Sequence, residues 1–268
     1  MIRLMVIPES PEMAAAAARG GVDRIFVDLE RSGKFERQGG GTWISEHGVE
    51  EIARYRRAAP DATLLVRLDP WPSVAAADIE RVLDQGADML MLPMITTPGE
   101  VGALCRLVAG RAPVVPLIET VASADRLPEI CAIEGVGEIF IGLNDLHRQR
   151  GDRFMFEPLA DGAVERLGRI ALEHGLSFGF GGMARIGRGD LPAEWILGEH
   201  VRLGSTAVIL SRSFKATAGA DFDWGREVGR IRDCERDLAA RTPAAAERDR
   251  QRIARRIAEL AAAQRAAG

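Results

Sequence analysis

Lysine, histidine and cysteine are all scarce in this chain of 268 residues. Only two of its 35 basic residues are lysines, Lys34 and Lys215, and the rest are arginines. There are four histidines (His47, His147, His174, His200) and three cysteines (Cys105, Cys131, Cys234). Three scattered cysteines without a CxxC build neither a disulfide framework nor a thiolate zinc site, and they fit a reducing compartment. With no HExxH and no other close histidine pair, a histidine-based zinc hydrolase is disfavoured. A Schiff-base mechanism has only two lysines to draw on. The formal charge of −4 gives no net attraction toward nucleic acid. No run approaches the roughly 20 apolar residues that span a bilayer. The first apolar run, residues 4–7, is cut off by Pro8-Glu9 and is too short for a signal-peptide core. The expectation is a cytoplasmic protein with no membrane or nucleic-acid partner.

What the chain does have is a recurring pattern. Short runs of Val, Ile, Leu and Met predict eight strands, at 2–7, 24–28, 63–67, 89–92, 114–118, 138–141, 176–180 and 207–210. Continuous apolar runs, rather than clean alternation, suit parallel strands covered on both faces. Helical stretches lie between them, at 11–19, from Ser45 onward, 74–85, 98–108, 123–130, 159–174, 192–203 and 221–241. Ser45 stands where an N-cap belongs, with acids following in the first turn. Gly86, Gly175 and Gly204 stand where helices stop. Eight β-then-α units in about 240 residues match a single (β/α)8 barrel; a doubly wound open sheet has the same periodicity. The expected division is a barrel over 1–242 and an extra C-terminal helix over 243–268. In that helix Ile253, Ile257 and Leu260 form one thin apolar stripe, fit either for the barrel's own flank or for a neighbouring subunit.

In such barrels the chemistry sits at the C-terminal ends of the strands. Those ends read Asp28-Leu-Glu30-Arg31, Arg67-Leu-Asp69, Pro93-Met94, Glu119-Thr120 and Gly142-Leu-Asn144-Asp145. A buried charge there is costly unless paired or coordinated. Ion pairing with Arg67 is one explanation for the acids. The other is a site in which Glu119 and Asp145 hold a hard divalent cation and leave positions open for a chelating substrate. Arg67 would then present a bidentate fork to a substrate carboxylate or neutralise a developing enolate.

These strings, in this order, resemble the HpcH/HpaI aldolase and citrate lyase β-subunit family over roughly residues 1–215. The resemblance implies a (β/α)8 barrel acting on pyruvate-type or acyl-CoA substrates with Mg2+ or Mn2+. It implies Glu119 and Asp145 as metal ligands, and their 26-residue separation agrees with the family's spacing. It implies that Arg67 binds the substrate carboxylate and stabilises the enolate. Gly142 and the backbone N–H groups of Asn144 and Asp145 would help hold that carboxylate. Asp28 and Glu30 would stand behind the ligands, Glu30 ordering metal-bound water. The short link between Pro93 and Glu119 is more like the citrate-lyase branch. It also implies a homo-oligomer, trimer or hexamer, with C-terminal helices exchanged between subunits.

One position departs from the pattern. Where the aldolase branch has a histidine base after the Asp-x-Glu of strand two, and the citrate-lyase branch an acid, this chain has Arg31. The glycine-rich stretch 32–42 that follows contains Lys34 and leads to His47, which the helix dipole would favour as a neutral base. His47 and Lys34 are therefore the candidate bases, against a surface role for His47. His147 follows Asp145 closely enough to support it, whereas His174 and His200 read as helix C-terminal caps. Neither lysine reads as projecting from a strand into the barrel, which favours metal-dependent enolate chemistry over an imine. The arginines after strands seven and eight, Arg185, Arg188 and Arg212, with the glycines at 179–182, could hold an anionic substrate tail or be a solvated loop. The expected function is a divalent-metal-dependent carbon–carbon lyase or aldolase acting on a 2-oxo acid such as pyruvate or oxaloacetate. The alternatives are a citrate-lyase-like lyase or hydrolase of acyl-CoA thioesters, and a non-catalytic barrel serving as a binding or assembly subunit.

Overall fold

A computed structural model describes residues 1–31, 48–215 and 222–267, with side chains of the last helix as far as 264. Eight strands pair in chain order, all parallel: β1 (Arg3–Val6), β2 (Arg24–Asp28), β3 (Thr63–Arg67), β4 (Met89–Leu92), β5 (Val114–Ile118), β6 (Glu138–Ile141), β7 (Ser177–Met183) and β8 (Ala207–Leu210). β8 closes on β1, so the sheet is a barrel and not an open doubly wound sheet. Six strands have the expected bounds. β7 runs on to Met183 through a register shift between Gly179 and Gly182.

Both faces of each strand are buried, and the two parities serve different cores. Met5, Phe26, Leu65, Met91, Leu117 and Phe140 fill the inside of the barrel. Ile25, Val27, Leu64, Val66, Leu90 and Ile139 pack outward under the helices. Mid-strand apolar residues at every position follow directly from this.

The helices are α1 (Pro11–Arg19), α2 (Val49–Ala58), α3 (Ala76–Asp84), α4 (Pro98–Val108), α5 (Val121–Asp125), α6 (Leu127–Cys131), α7 (Leu143–Arg150), α8 (Glu157–Ala160), α9 (Ala163–Glu173), α10 (Ala193–Leu203), α11 (Arg212–Lys215), α12 (Trp224–Ala239) and α13 (Pro243–Ala267). Several differ from the sequence expectation for local reasons. The helix expected at 123–130 splits into α5 and α6, because Pro128 lacks the N–H to continue one ladder. The helix expected at 159–174 breaks at Gly162, whose φ of 82° is left-handed. α2 starts at Val49 with Gly48 as its N-cap; Ser45, the expected cap, lies outside the described residues. α7 was not expected, since its sequence LNDLHRQR carries no apolar stripe.

α13 lies on the flank of its own barrel. Ile253 and Ile257 are buried in the outer core and Leu260 is half-buried against it. The Arg252 guanidinium stacks 4.5 Å over Trp195 of α10. Arg241 ties the helix down through Asp249 at 2.6 Å and the Gly198 carbonyl at 2.9 Å. No helix among the described residues is long and apolar enough to cross a membrane.

The N-terminal end of the barrel is closed by charge. Glu138, the first residue of β6, accepts two hydrogen bonds from Arg24 at 2.7 and 2.9 Å and one from Arg3 at 2.7 Å. Arg24 is 5% exposed and Glu138 2%.

His200 is a correction. It is not a helix cap: the Gly204 N–H satisfies the last carbonyls of α10. Its imidazole is instead fully buried, stacked 3.7 Å from the Phe180 ring, with Nδ1 2.8 Å from Ser205 Oγ. Nε2 is buried without a hydrogen-bond partner among the described residues. Burial holds this imidazole down at about 3, from an ordinary 6.5. Because the unfolded chain takes the proton more readily, stability is full above the ordinary value and falls as the pH drops toward the folded one. The expected slope is about 1.4 kcal/mol per pH unit. Urea midpoints measured across this range should fall less steeply in His200→Gln than in the unsubstituted protein. His174, by contrast, does sit at the end of α9, with Nδ1 2.9 Å from the Ile170 carbonyl.

Candidate active site

The inward parity that fills the barrel also aims Asp28 and Arg67, the last residues of β2 and β3, and Glu119 and Gly142, which directly follow β5 and β6, into its C-terminal mouth. A cavity of about 430 Å³ opens there. Its wall on one side contains Asp28, Arg67, Glu119, Gly142, Asn144 and Asp145; on the other side stand Gly182, Ser211, Arg212, Ser213 and Lys215.

Arg67 is oriented rigidly. Its Nε and Nη2 donate to the two oxygens of Asp28 at 2.9 and 2.8 Å, a bidentate pair. Nη2 also lies 3.3 Å from Glu30, and the guanidinium sits 5.5 Å from the Phe26 ring centre. Burial opposes the Arg67 charge, but Asp28 and Glu30 more than offset it and hold the guanidinium above its ordinary value. Ion pairing with Arg67 thus accounts for Asp28 and Glu30.

Glu119 is different. It is 4% exposed, and its Oε1 accepts the Met94 backbone N–H at 2.9 Å. Burial pushes its carboxyl up to about 8; Arg67 works against this, while Asp145 and Glu30 add to it. Four carboxylates, Asp28, Glu30, Glu119 and Asp145, thus share this side of the mouth with one arginine among the described residues. With Asp28 and Glu30 engaged by Arg67, Glu119 and Asp145 are the carboxylates left on this wall. The described residues bring together no group of three or more side chains of the kind that hold a metal ion. Carboxylate oxygens are the donors a hard divalent cation prefers, and its charge would relieve the repulsion felt by Glu119.

Gly142 makes the approach possible. A Cβ there would stand 2.9 Å from both Cβ and Oε2 of Glu119. Immediately afterwards α7 begins, and Asn144 and Asp145 occupy its first turn. The N–H groups of a first turn have no carbonyl within their own helix, which leaves them open to an anion. His147, on the same helix, turns its Nδ1 to the Leu143 carbonyl at 3.0 Å and does not line the cavity.

Two groups escaped the sequence reading. Met94 supplies a backbone donor from a left-handed conformation, φ 52°, which costs a residue with a side chain on the order of 1 kcal/mol or more. Nothing in its side chain signals this. Lys215 lines the cavity after all, 7% exposed, because the single turn of α11 folds it back over the mouth. Its Nζ is 2.9 Å from Glu9 and 2.7 Å from the Ile7 carbonyl. Arg185, expected among the substrate contacts, is not part of the cavity wall; its guanidinium lies 5.7 Å over the Phe222 ring. Lys34 and His47 lie outside the described residues.

A closed parallel barrel with acids and one fixed arginine at its C-terminal mouth has the layout of a barrel lyase or aldolase. The chain belongs to the HpcH/HpaI aldolase/citrate lyase family, whose model matches residues 2–153. A relative named 4-hydroxy-2-oxovalerate aldolase, from Novosphingobium aromaticivorans, is 25% identical over 192 residues, covering 60% of this chain and 68% of that protein. Two solved structures share the fold. The HpcH/HpaI aldolase from Desulfitobacterium hafniense DCB-2 superposes with a TM-score of 0.63 at 19% identity, covering 86% of this chain and 92% of that one. The citrate lyase β subunit from M. tuberculosis, complexed with oxaloacetate and magnesium, gives a TM-score of 0.60 at 18% identity, covering 88% and 97%.

Proposed function

We propose that the protein is a divalent-metal-dependent carbon–carbon lyase or aldolase that works on a 2-oxo acid through an enolate. The observation that carries this is Glu119: a buried carboxylate pushed up to about 8, on the same cavity wall as Asp145 and Arg67. Glu119 and Asp145 would hold Mg2+ or Mn2+, which when bound supplies Lewis acidity toward the 2-oxo oxygen. The magnesium and oxaloacetate of the M. tuberculosis citrate lyase β subunit support the same choice of ion and substrate class.

The chain's own groups do the rest. Arg67 places its charge beside the oxygen that gains negative charge as the carbon–carbon bond breaks. Asp28 and Glu30 fix the plane of that guanidinium and keep it from collapsing onto Glu119. The N–H groups of Asn144 and Asp145 receive the substrate carboxylate. Phe26, Met91, Leu117 and Phe140 floor the cavity and limit water around the enolate carbon. In the condensing direction that carbon bonds to the carbonyl carbon of an aldehyde, whose oxygen takes up a proton; cleavage is the reverse. His47 and Lys34 are the candidates for the group that handles that proton. The working form in this reading is a homo-oligomer.

Calorimetric titration tests the reading. Pyruvate or oxaloacetate should bind only with Mg2+ or Mn2+ present, and Glu119→Ala should abolish the response. Binding of CoA without a 2-oxo acid would favour thioester chemistry instead, and no response to either would leave a non-catalytic barrel. A further expectation concerns Gly142→Ala. The added methyl must displace the Glu119 carboxylate, and misplacement of a ligand by about 1 Å costs on the order of 10²-fold in kcat/KM. Steady-state assays with a folded Gly142→Ala variant would check this.

A further inference from the structure

Joining an enolate to an aldehyde turns a carbonyl oxygen into a hydroxyl. One group at the mouth must give a proton to that oxygen and, in cleavage, take it back. Few groups on the cavity wall can do both. Arg67 and Arg212 do not release a proton. Asp28 is held by two nitrogens of Arg67, and Glu119 and Asp145 are the carboxylates given to the cation above. The hydroxyls of Ser211 and Ser213 are too weakly acidic to serve alone. No histidine among the described residues lines the cavity, and His47 and Lys34 lie outside those residues. Lys215 is the lysine on the wall.

Its surroundings suit a proton relay. Lys215 ends α11, which follows β8, and its partners follow β1: the Ile7 carbonyl at 2.7 Å and Glu9 Oε1 at 2.9 Å. The lysine side chain is buried, whereas that of Glu9 is 56% exposed. The ammonium thus meets the cavity at one side and, through a single hydrogen bond, a carboxylate in contact with water at the other. The chain at Glu9 is held in place by the next residue, Ser10, which caps α1 by accepting the Met13 N–H. In a barrel closed in chain order β1 lies across from β5, so this lysine stands across the mouth from Glu119. A 2-oxo acid held on the Glu119 side leaves the Lys215 side to the aldehyde.

We infer that Lys215 is the catalytic acid and base at the aldehyde oxygen, with Glu9 passing its proton to and from water. The inference rests on the enolate reading above and assigns the proton that this reading requires. In condensation the enolate pair forms the carbon–carbon bond, the carbonyl pair moves onto the aldehyde oxygen, and that oxygen takes a proton from Nζ, which regains one through Glu9. In cleavage the hydroxyl proton passes to Nζ as Nζ passes one to Glu9. The O–H pair becomes the second bond of the carbonyl, and the carbon–carbon pair returns to the enolate.

Two reactions of the full-length, Mg2+-loaded protein separate this role from enolate formation. Decarboxylation of oxaloacetate makes the enolate of pyruvate with no hydroxyl proton to move. Cleavage of 4-hydroxy-2-oxovalerate makes it only as the 4-hydroxyl proton leaves. Lys215→Arg keeps the charge beside Glu9 but cannot release a proton. Its kcat for cleavage should fall by about 10²-fold or more while decarboxylation continues. Glu9→Gln, at an exposed position, should slow cleavage by a smaller factor and spare decarboxylation as well. A folded Lys215→Arg that cleaves at the original rate, or that loses both reactions alike, would overturn the proposal. If that variant does not fold, undiminished cleavage in Glu9→Gln overturns it. Decarboxylation without cleavage in the unsubstituted protein defeats this proposal alone. Neither reaction in the unsubstituted protein overturns the enolate reading and this proposal with it.

Discussion

Glu138→Gln should lower the stability of the barrel by about 3–5 kcal/mol, the usual result of breaking a buried ion pair from one side. The reason lies in what remains. Arg24 is 5% exposed and donates both of its terminal nitrogens to Glu138. A glutamine keeps one acceptor but leaves a full positive charge at the barrel floor with nothing to balance it. Arg3 loses the same partner. For a chain of this size the loss corresponds to a melting temperature lower by roughly 10 °C. Turnover per folded molecule should stay as it was, since Glu138 begins β6 and Asp145 lies beyond its other end. Urea denaturation alongside assays at low temperature would show both; a change in kcat with unchanged stability would contradict the structural role.

Arg67→Lys should have the opposite profile, a loss of about 10²–10³-fold in kcat/KM with the fold retained. Lysine keeps the charge but cannot hold both oxygens of Asp28, so the cation is no longer fixed in one plane. The single Nζ would also sit differently against Glu30 and Glu119, whose burdens Arg67 now eases. Comparing kcat with KM on a 2-oxo acid would locate the defect. A loss mainly in kcat is expected if the arginine serves the developing enolate, and unchanged kinetics would remove it from the mechanism.

The strands were legible because both of their faces are apolar, which set them apart from every other stretch of the chain. The acids and arginine at their ends were legible because charge directly after a buried strand is expensive and so stands out. Other parts had no such contrast. α7 is polar throughout, and it forms because it continues from β6 at Gly142 rather than because of a stripe. Met94 contributes through its N–H, and backbone geometry at a left-handed residue with a side chain leaves no mark in the composition. Lys215 was set aside because it comes five residues after the end of β8, yet one helical turn brings it back over the mouth. Arg185 looked equivalent to Arg212 by position, and only the packing of Phe222 separates them.

The second strand has a consequence for how this sequence can change. Arg24, Phe26 and Asp28 are successive inward positions, and they clamp the floor, fill the middle and hold Arg67 at the mouth. Each can be exchanged singly at its own cost. Adding or deleting one residue within the strand would reverse the facing of everything beyond it, so floor and mouth could not both be kept. In β2 the lineage can therefore drift in spelling but not in length, and insertions must be confined to the connections between strands.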